Sequence, residues 1–556
     1  MFASESIERH QALHVDPDWW RGAVIYQVYP RSFQDSNGDG VGDLSGIIHR
    51  MDHLAALGVD AIWISPFFRS PMLDFGYDVS DYRDVDPLFG SLGDFDALIQ
   101  RAHDRGIRVV IDLVMSHTSS SHPWFKESRS SRDNPKADWY VWANAKPDGS
   151  PPNNWLSIFG GPAWEWDGER MQYYLHNFLA DQPDLNFHCD EVRNELLDVA
   201  RYWLERGVDG FRLDTVNFYV HDKQLRDNPP LPPEEQNDST APSINPYNFQ
   251  DHLYDKTQPE NLEFLKRLRK LMDEFPGITS VGEVGESQRG MQVQAQYTLG
   301  DDHLHMCYGF DFLSNAFPTP ERIAEVMERF NREAPDSWAC WAFSNHDVVR
   351  HASRWNLSDA AQRAYAGVLI SLRGAVCLYQ GEELGLTEAY VPYEELQDPY
   401  GKRFWPKFKG RDGCRTPIPW VGDSSNGGFT DAKPWLPMAV EHLEKAVSHQ
   451  DHDDGSMLAF YRSMIALRKA HLPLQKGSFE AVERGPKVLS FIREHEGAQV
   501  FCAFNLSDEE QALTLPAGDW FRDRGAPFTV KETGDGYVLP PWQALFGLAN
   551  TAAQET

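Results

Sequence analysis

Two rhythms of apolar residues alternate along this chain. Short β-rich runs, AVIYQVYP (23–30), AIWISP (61–66) and VVIDLV (109–114), read as buried strands. Between them apolar residues recur at helical spacing. Over 44–58, Ile47, Met51 and Leu54 share one face, and 92–106 is a second helix closed by Gly106. The rhythm stops over 118–180, a stretch rich in Ser, Pro, Asn, Gly and Trp with little helical periodicity. It resumes with a helix at 191–207, where Val192, Leu196, Val199 and Trp203 line up, and the strand GFRLD (210–214). A Pro-rich loop (227–246), helix 260–275, strand TSVGEV (279–284), an apolar run near 305–312 and helix 321–333 follow. Strand ACWAFS (339–344), helix 358–374 and strand AVCLYQ (375–380) complete about eight strand–helix units.

That repeat predicts an α/β fold, a (β/α)8 TIM barrel with an inserted small domain after strand 3 and a C-terminal antiparallel β domain. The barrel takes residues 1–117 and 181–480, and the insertion 118–180. Residues 381–450, irregular and rich in Pro, Gly and Trp, are expected as loops and short helices over the barrel mouth. From about 482, KVLSFIRE, AQVFCAFNL and ALTLP alternate like strands, so 481–556 is assigned to the last domain.

Composition narrows the partners. Hydrophobic residues at 41% support a large globular core in this 556-residue chain. A formal net charge of −31 disfavours nucleic acid, anionic membranes and polyanionic substrates, and suits a neutral ligand. The aromatic content, 13%, serves barrel packing first and sugar stacking second. Six scattered cysteines, with no CxxC, read as free thiols of a reducing compartment. The first 18 residues hold no apolar run of a signal peptide, and no stretch is long enough to span a membrane; a cytoplasmic protein is expected, monomer or homodimer.

Barrel enzymes carry their chemistry at the C-terminal ends of the strands. Strand three runs through Asp112 to His117, strand four ends at Arg212 and Asp214, strand five at Glu283, and strand seven at His346 and Asp347. One such residue is more often a cap or an ion-pair partner. Three carboxylates, two histidines and an arginine converging on one mouth are costly to assemble without a chemical purpose. A retaining glycosidase needs two carboxyl groups about 5 Å apart, one ionised and one protonated. Arg212, two residues before Asp214, shares its face of the strand, and its charge favours the Asp214 carboxylate. Glu283, between Val281 and Val284, is placed to keep its proton.

The blocks DLVMSH (112–117), GFRLDTVN (210–217), GEVG (282–285) and FSNHD (343–347) resemble the four signature regions of glycoside hydrolase family 13, the α-amylase family. QPDLN (182–186) and YQGEELG (379–385) resemble two further regions, in order, over about 19–420. WWRGAVIYQVYPRSFQDSNGDGVGDLSGI and GRDGCRTPIPW (410–420) are similar to its oligo-1,6-glucosidase and α-glucosidase branch. The resemblance implies Asp214 as nucleophile, Glu283 as proton donor and Asp347 as the grip on the sugar hydroxyls. It implies a glucose pocket made by His117, Arg212 and His346, floored by Asp74 and Tyr77 of LDFGYD, with Arg411 and Arg415 of RDGCR. Phe159 and Phe178 are candidate walls, with core packing as their alternative. Thr215, after the nucleophile, suits short α-1,4 substrates such as maltose, since bulk beside the nucleophile limits where the leaving sugar lies.

The activity implied is release or transfer of single glucose units from small neutral α-glucosides. The alternatives are an oligo-1,6-glucosidase, an isomerase or transglucosidase like trehalose synthase or sucrose isomerase, and a transporter-associated glucosidase-like subunit. The last needs a membrane span and tolerates loss of the carboxylates. The loop from Asp35 to Asp43 sets oxygen donors at alternate positions between glycines, the logic of an EF-hand-like loop without its terminal Glu. The resemblance implies one structural Ca²⁺ or Mg²⁺ on Asp35, Asn37, Asp39, Asp43 and the Val41 carbonyl, far from the chemistry, and no organic cofactor. His303 and His305 are expected to pack, not to bind a second metal.

Overall fold

The structure, a computed structural model, describes residues 16–534 and 536–549. Most of the N-terminal stretch read for a signal peptide, and the last residues assigned to the C-terminal domain, lie outside the described residues.

Eight parallel strands form the centre: β1 (Val24–Val28), β2 (Ala61–Ile64), β3 (Arg108–Leu113), β4 (Gly210–Leu213), β5 (Thr279–Glu283), β6 (Met306–Tyr308), β7 (Cys340–Trp341) and β8 (Ala375–Tyr379). Their hydrogen-bonded order is β6-β5-β4-β3-β2-β1-β8-β7, and a parallel bridge from Cys307 to Ala339 joins the two ends into a barrel. The strands are buried along their whole length, as parallel strands covered by helices must be. The covering helices follow the polar–apolar period. Helix Leu44–Leu57 buries Leu44, Ile47, Met51 and Leu54; the Asp43 side chain caps it by accepting from the Gly46 N–H, and Gly58, at φ 88°, ends it in the left-handed region. Helix Asp190–Glu205 buries Val192, Leu196, Val199 and Trp203 on the expected face.

Three readings are corrected. The seventh strand is two residues long, not the six of ACWAFS, because the chain leaves the ladder at Ala342 to carry Asn345–Asp347 into the mouth. The stretch 118–180, read as having little helical periodicity, holds one short helix, Pro123–Ser130, started by a proline at its first turn, beside a three-stranded antiparallel sheet. Helix Gly290–Tyr297, between β5 and β6, went unread. Beyond helix Met457–Ala470, the chain ends in antiparallel sheets of five and three strands. The six cysteines are free, five of them buried.

Candidate active site

Strand β4 sets the centre. Its pleat turns Arg212 into the barrel, and the chain then bends at Thr215, whose φ of 42° is rare for a β-branched residue. That bend aims the Thr215 N–H at Glu283 Oε2, 3.1 Å away, and its hydroxyl at Asp214 Oδ2, 3.2 Å away. Arg212 donates through one terminal nitrogen to Asp214 Oδ1 and through the other to Glu283 Oε2, both at 2.6 Å. The fixed geometry of one guanidinium therefore bounds the separation of those two oxygens at about 7.5 Å.

Arg212, expected beside Asp214, thus bonds Glu283 as well. Burial pushes Asp214 up to about 7, against the pull of Arg212. Burial also pushes Glu283 up to about 7, opposed by Arg212 and helped by the anions of Asp214 and Asp347. Two interacting carboxyls on one fork titrate as a pair, so near neutrality they hold one proton between them.

Asp347 has the opposite character. Arg411 and Arg415 donate to its Oδ1 at 3.1 and 3.0 Å, and His346 Nε2 stands 3.2 Å from Oδ2. Burial works against its charge, but His346 and the arginines outweigh it and hold the carboxyl well below the usual range. Gln27 Nε2 lies 2.7 Å from His346 Nδ1, which makes Nδ1 the acceptor and leaves the proton on Nε2. That Nε2 faces the Tyr77 hydroxyl at 2.6 Å, and Tyr77 donates on to Asp112 at 2.9 Å. Burial lowers His346, and lowers His117 to about 4, so both rings are neutral at pH 7.

A cavity of about 360 Å³ opens over these groups. Asp74, Tyr77, His117, Phe159, Phe178, Asp214, Thr215, Glu283, Asp347 and Arg411 line it. Arg212, His346 and Arg415 are one layer beneath, each bonded to a lining carboxylate or to the backbone that carries one. Arg411 closes one side by pairing with Asp74 at 2.9 Å. Phe159 lines the cavity and also packs against Phe178 and, stacked at 4.7 Å, Tyr400.

Four partners escaped the sequence reading as site residues. Asp398 grips Arg411 through Nε and a terminal nitrogen, Gln182 donates to Asp74 at 3.1 Å, and Asp112 and Tyr308 hold Arg212. Asp112, next to last in β3, was readable by position; the others meet the site only through the fold. His305 packs, with Nδ1 3.0 Å from Ser280 Oγ, and His303 Nδ1 lies 2.7 Å from the Leu299 carbonyl.

The loop 35–43 lies apart from the cavity lining. Its side chains offer only oxygen, which suits a hard cation. Asp35 accepts from the N–H groups of Asn37, Gly38 and Gly40, and Asp43 from Ser36 and Gly46. Among the described residues no group of three His, Cys, Asp or Glu is gathered in metal-binding geometry.

Comparison with known proteins agrees in every direction. A family model described as alpha amylase, catalytic domain, matches residues 27–477, and one described as maltogenic amylase, C-terminal domain, matches 479–543. A probable alpha-glucosidase of Rhizobium meliloti is 61% identical, over 96% of this chain and 98% of its own. An oligo-1,6-glucosidase of Heyndrickxia coagulans is 36% identical, over 95% and 98%. Among solved structures, the alpha-glucosyl transfer enzyme XgtA superposes with a TM-score of 0.93 at 53% identity, covering 96% of this chain and 99% of that one. The trehalulose synthase MutB of Pseudomonas mesoacidophila gives 0.85 at 32%, covering 96% and 99%.

Proposed function

The chain belongs to the α-amylase family, among its α-glucosidases and oligo-1,6-glucosidases, and on that premise we propose a retaining exo-α-glucosidase acting on short α-1,4-linked glucosides. The observation that carries the reading is the pair of carboxyls, Asp214 and Glu283, on adjacent nitrogens of the Arg212 fork, inside a cavity. In the first step the Asp214 carboxylate attacks the anomeric carbon as the glycosidic bond breaks. Glu283 gives its proton to the departing oxygen. The glucosyl ester on Asp214 is then opened by water or another hydroxyl, which loses its proton to Glu283. One residue serves as acid and then as base, so the proton count closes over the cycle.

Asp347, held ionised by its arginines, accepts hydrogen bonds from sugar hydroxyls and faces the positive charge that develops on the ring. The neutral His117 and His346 add no charge to the pocket; their Nε2 atoms lie 2.9 Å from the Tyr77 carbonyl and 2.6 Å from the Tyr77 hydroxyl and brace that residue. The Arg411–Asp74 pair stops the sugar chain beyond one glucose, which accounts for an exo mode of attack. A structural Ca²⁺ or Mg²⁺ would be held by Asp35, Asn37, Asp39, Asp43 and the Val41 carbonyl, stiffening the loop before helix Leu44–Leu57.

Likeness to an alpha-glucosyl transfer enzyme favours a second reading, in which the acceptor is an alcohol and not water. Both readings share the glucosyl-enzyme. Incubation with maltose, isomaltose, sucrose, trehalose and starch, with products separated, decides between them. Hydrolysis predicts fast release of glucose from maltose and almost none from starch. Predominance of new glucosides or rearranged disaccharides supports transfer, and preferential starch cleavage refutes the exo assignment.

A further inference from the structure

Arg212 is 1% exposed and carries five N–H donors. Every one of them has an acceptor. One terminal nitrogen donates to Asp112 Oδ1 at 2.8 Å and Asp214 Oδ1 at 2.6 Å; the other donates to Glu283 Oε2 at 2.6 Å and the Tyr308 hydroxyl at 2.7 Å. Nε donates to the same Tyr308 hydroxyl at 3.2 Å. Three of the acceptors are carboxylates. The fourth is a phenol that takes two of the five bonds, and burial keeps it protonated and uncharged.

The position of that phenol follows from strand register. Glu283, the last residue of β5, is the direct partner of Tyr308, the last residue of β6. The neighbouring strand thus delivers a neutral acceptor to the same nitrogen that Glu283 uses. A carboxylate bonded to a buried guanidinium resists protonation, because the guanidinium N–H then loses its acceptor. An enzyme whose acid sits on such a cation needs a further acceptor that keeps the cation's remaining N–H groups from turning to the acid.

We propose that Tyr308 is a positioning residue whose hydroxyl anchors the Nε edge of Arg212, holding two of its N–H groups away from Glu283 so that the Glu283 anion is favoured less and Glu283 can take up its proton. The proposal rests on the reading of Glu283 as the acid/base. Without the hydroxyl, two N–H groups of the fork lose their acceptor. Their charge is then left to Glu283, bonded to the same terminal nitrogen, and the Glu283 anion is favoured. The other groups facing Glu283 are Asp214 and the Thr215 N–H from the end of β4, Asp347 beyond β7 and Asp112 on β3. A Tyr308→Phe change alters none of them. Trp63, whose ring lies 4.8 Å from the Arg212 guanidinium carbon, offers a face but no oxygen acceptor.

The test is the pH profile of kcat/KM for maltose in the full-length protein and in Tyr308→Phe. The alkaline limb, which reports the protonated acid, is expected to move down by about one pH unit, giving about a tenfold loss above that limb. The acid limb should move less. A loss of activity equal at every pH, or an unmoved alkaline limb, overturns the proposal. If Tyr308→Phe does not fold, 3-fluorotyrosine placed at position 308 weakens the acceptor while keeping the shape. The limb should then move the same way by less, and no movement again overturns the proposal. Failure of the underlying reading shows separately. With p-nitrophenyl α-glucoside, whose leaving group needs little proton help, Glu283→Ala should lose the alkaline limb altogether; persistence of the limb removes Glu283 as the acid.

Discussion

Asp398 does not itself line the cavity, yet it carries more of the Arg411 guanidinium than any other residue. It accepts from Nε at 3.1 Å, from a terminal nitrogen at 2.8 Å and from the Arg411 backbone N–H at 2.8 Å. Burial would raise its carboxyl, but the Arg411 charge and bonds prevail and hold it below the ordinary range. Asp398→Asn keeps the shape, removes the charge and turns one acceptor into a donor aimed at a donor. Losing one charge-assisted bond of the pair costs about 2 kcal/mol. If that cost is taken in the placement of Arg411, and hence of its bonds to Asp74 and Asp347, kcat/KM for maltose falls roughly 30-fold. KM should bear more of the change than kcat, because Arg411 closes the pocket and does not touch the breaking bond. Steady-state kinetics with a thermal melt by circular dichroism read both terms. A kcat/KM within twofold of the parent, in a variant that melts normally, would refute the reasoning.

Thr215→Val removes the hydroxyl that donates to Asp214 and adds apolar bulk beside it; the ratio of maltose to isomaltose turnover should fall severalfold, and an unchanged ratio argues against position 215 as a selector. Burial depresses His117 to about 4 and His221 and His351 to about 3, all below the unfolded value, so each favours the fold above about pH 6.5. That stability is lost as pH falls from 6.5 through the folded values, about 3 kcal/mol for His117 and about 5 kcal/mol for each of the other two, and melts between pH 7 and 4 should show a steep fall. If a cation occupies loop 35–43, chelation should lower the melting temperature by several degrees with recovery on adding Ca²⁺; identical melts would dismiss the metal.

The barrel was legible because its strands are apolar runs set between amphipathic helices, and the register that follows is nearly forced. The shortest strands were hardest. β6 and β7 hold three and two residues, too few to show a period. At the site, Asp214 and Glu283 could be read because strand ends point into the mouth whatever the rest of the chain does; Asp347 lies six residues past β7, on the segment that leaves the ladder. Asp398, Gln182 and Tyr308 could not. Each reaches its partner through loop or strand contacts that have no local signature: Gln182 lies 108 residues from Asp74, and Tyr308 lies 96 from Arg212. The sharing of Arg212 was invisible for the same reason. Alternation along β4 pairs it with Asp214, and only the parallel pairing of β5 beside β4 brings Glu283 to its other nitrogen.

Trapping the glycosyl-enzyme tests the central claim most directly. A 5-fluoro-α-glucosyl fluoride slows release of the ester, and intact-protein mass spectrometry followed by peptide mapping locates the adduct. One fluoroglucosyl unit on the peptide bearing Asp214, absent in Asp214→Asn, is the predicted result. An adduct on another residue, or turnover with inversion of the anomeric centre, would contradict it.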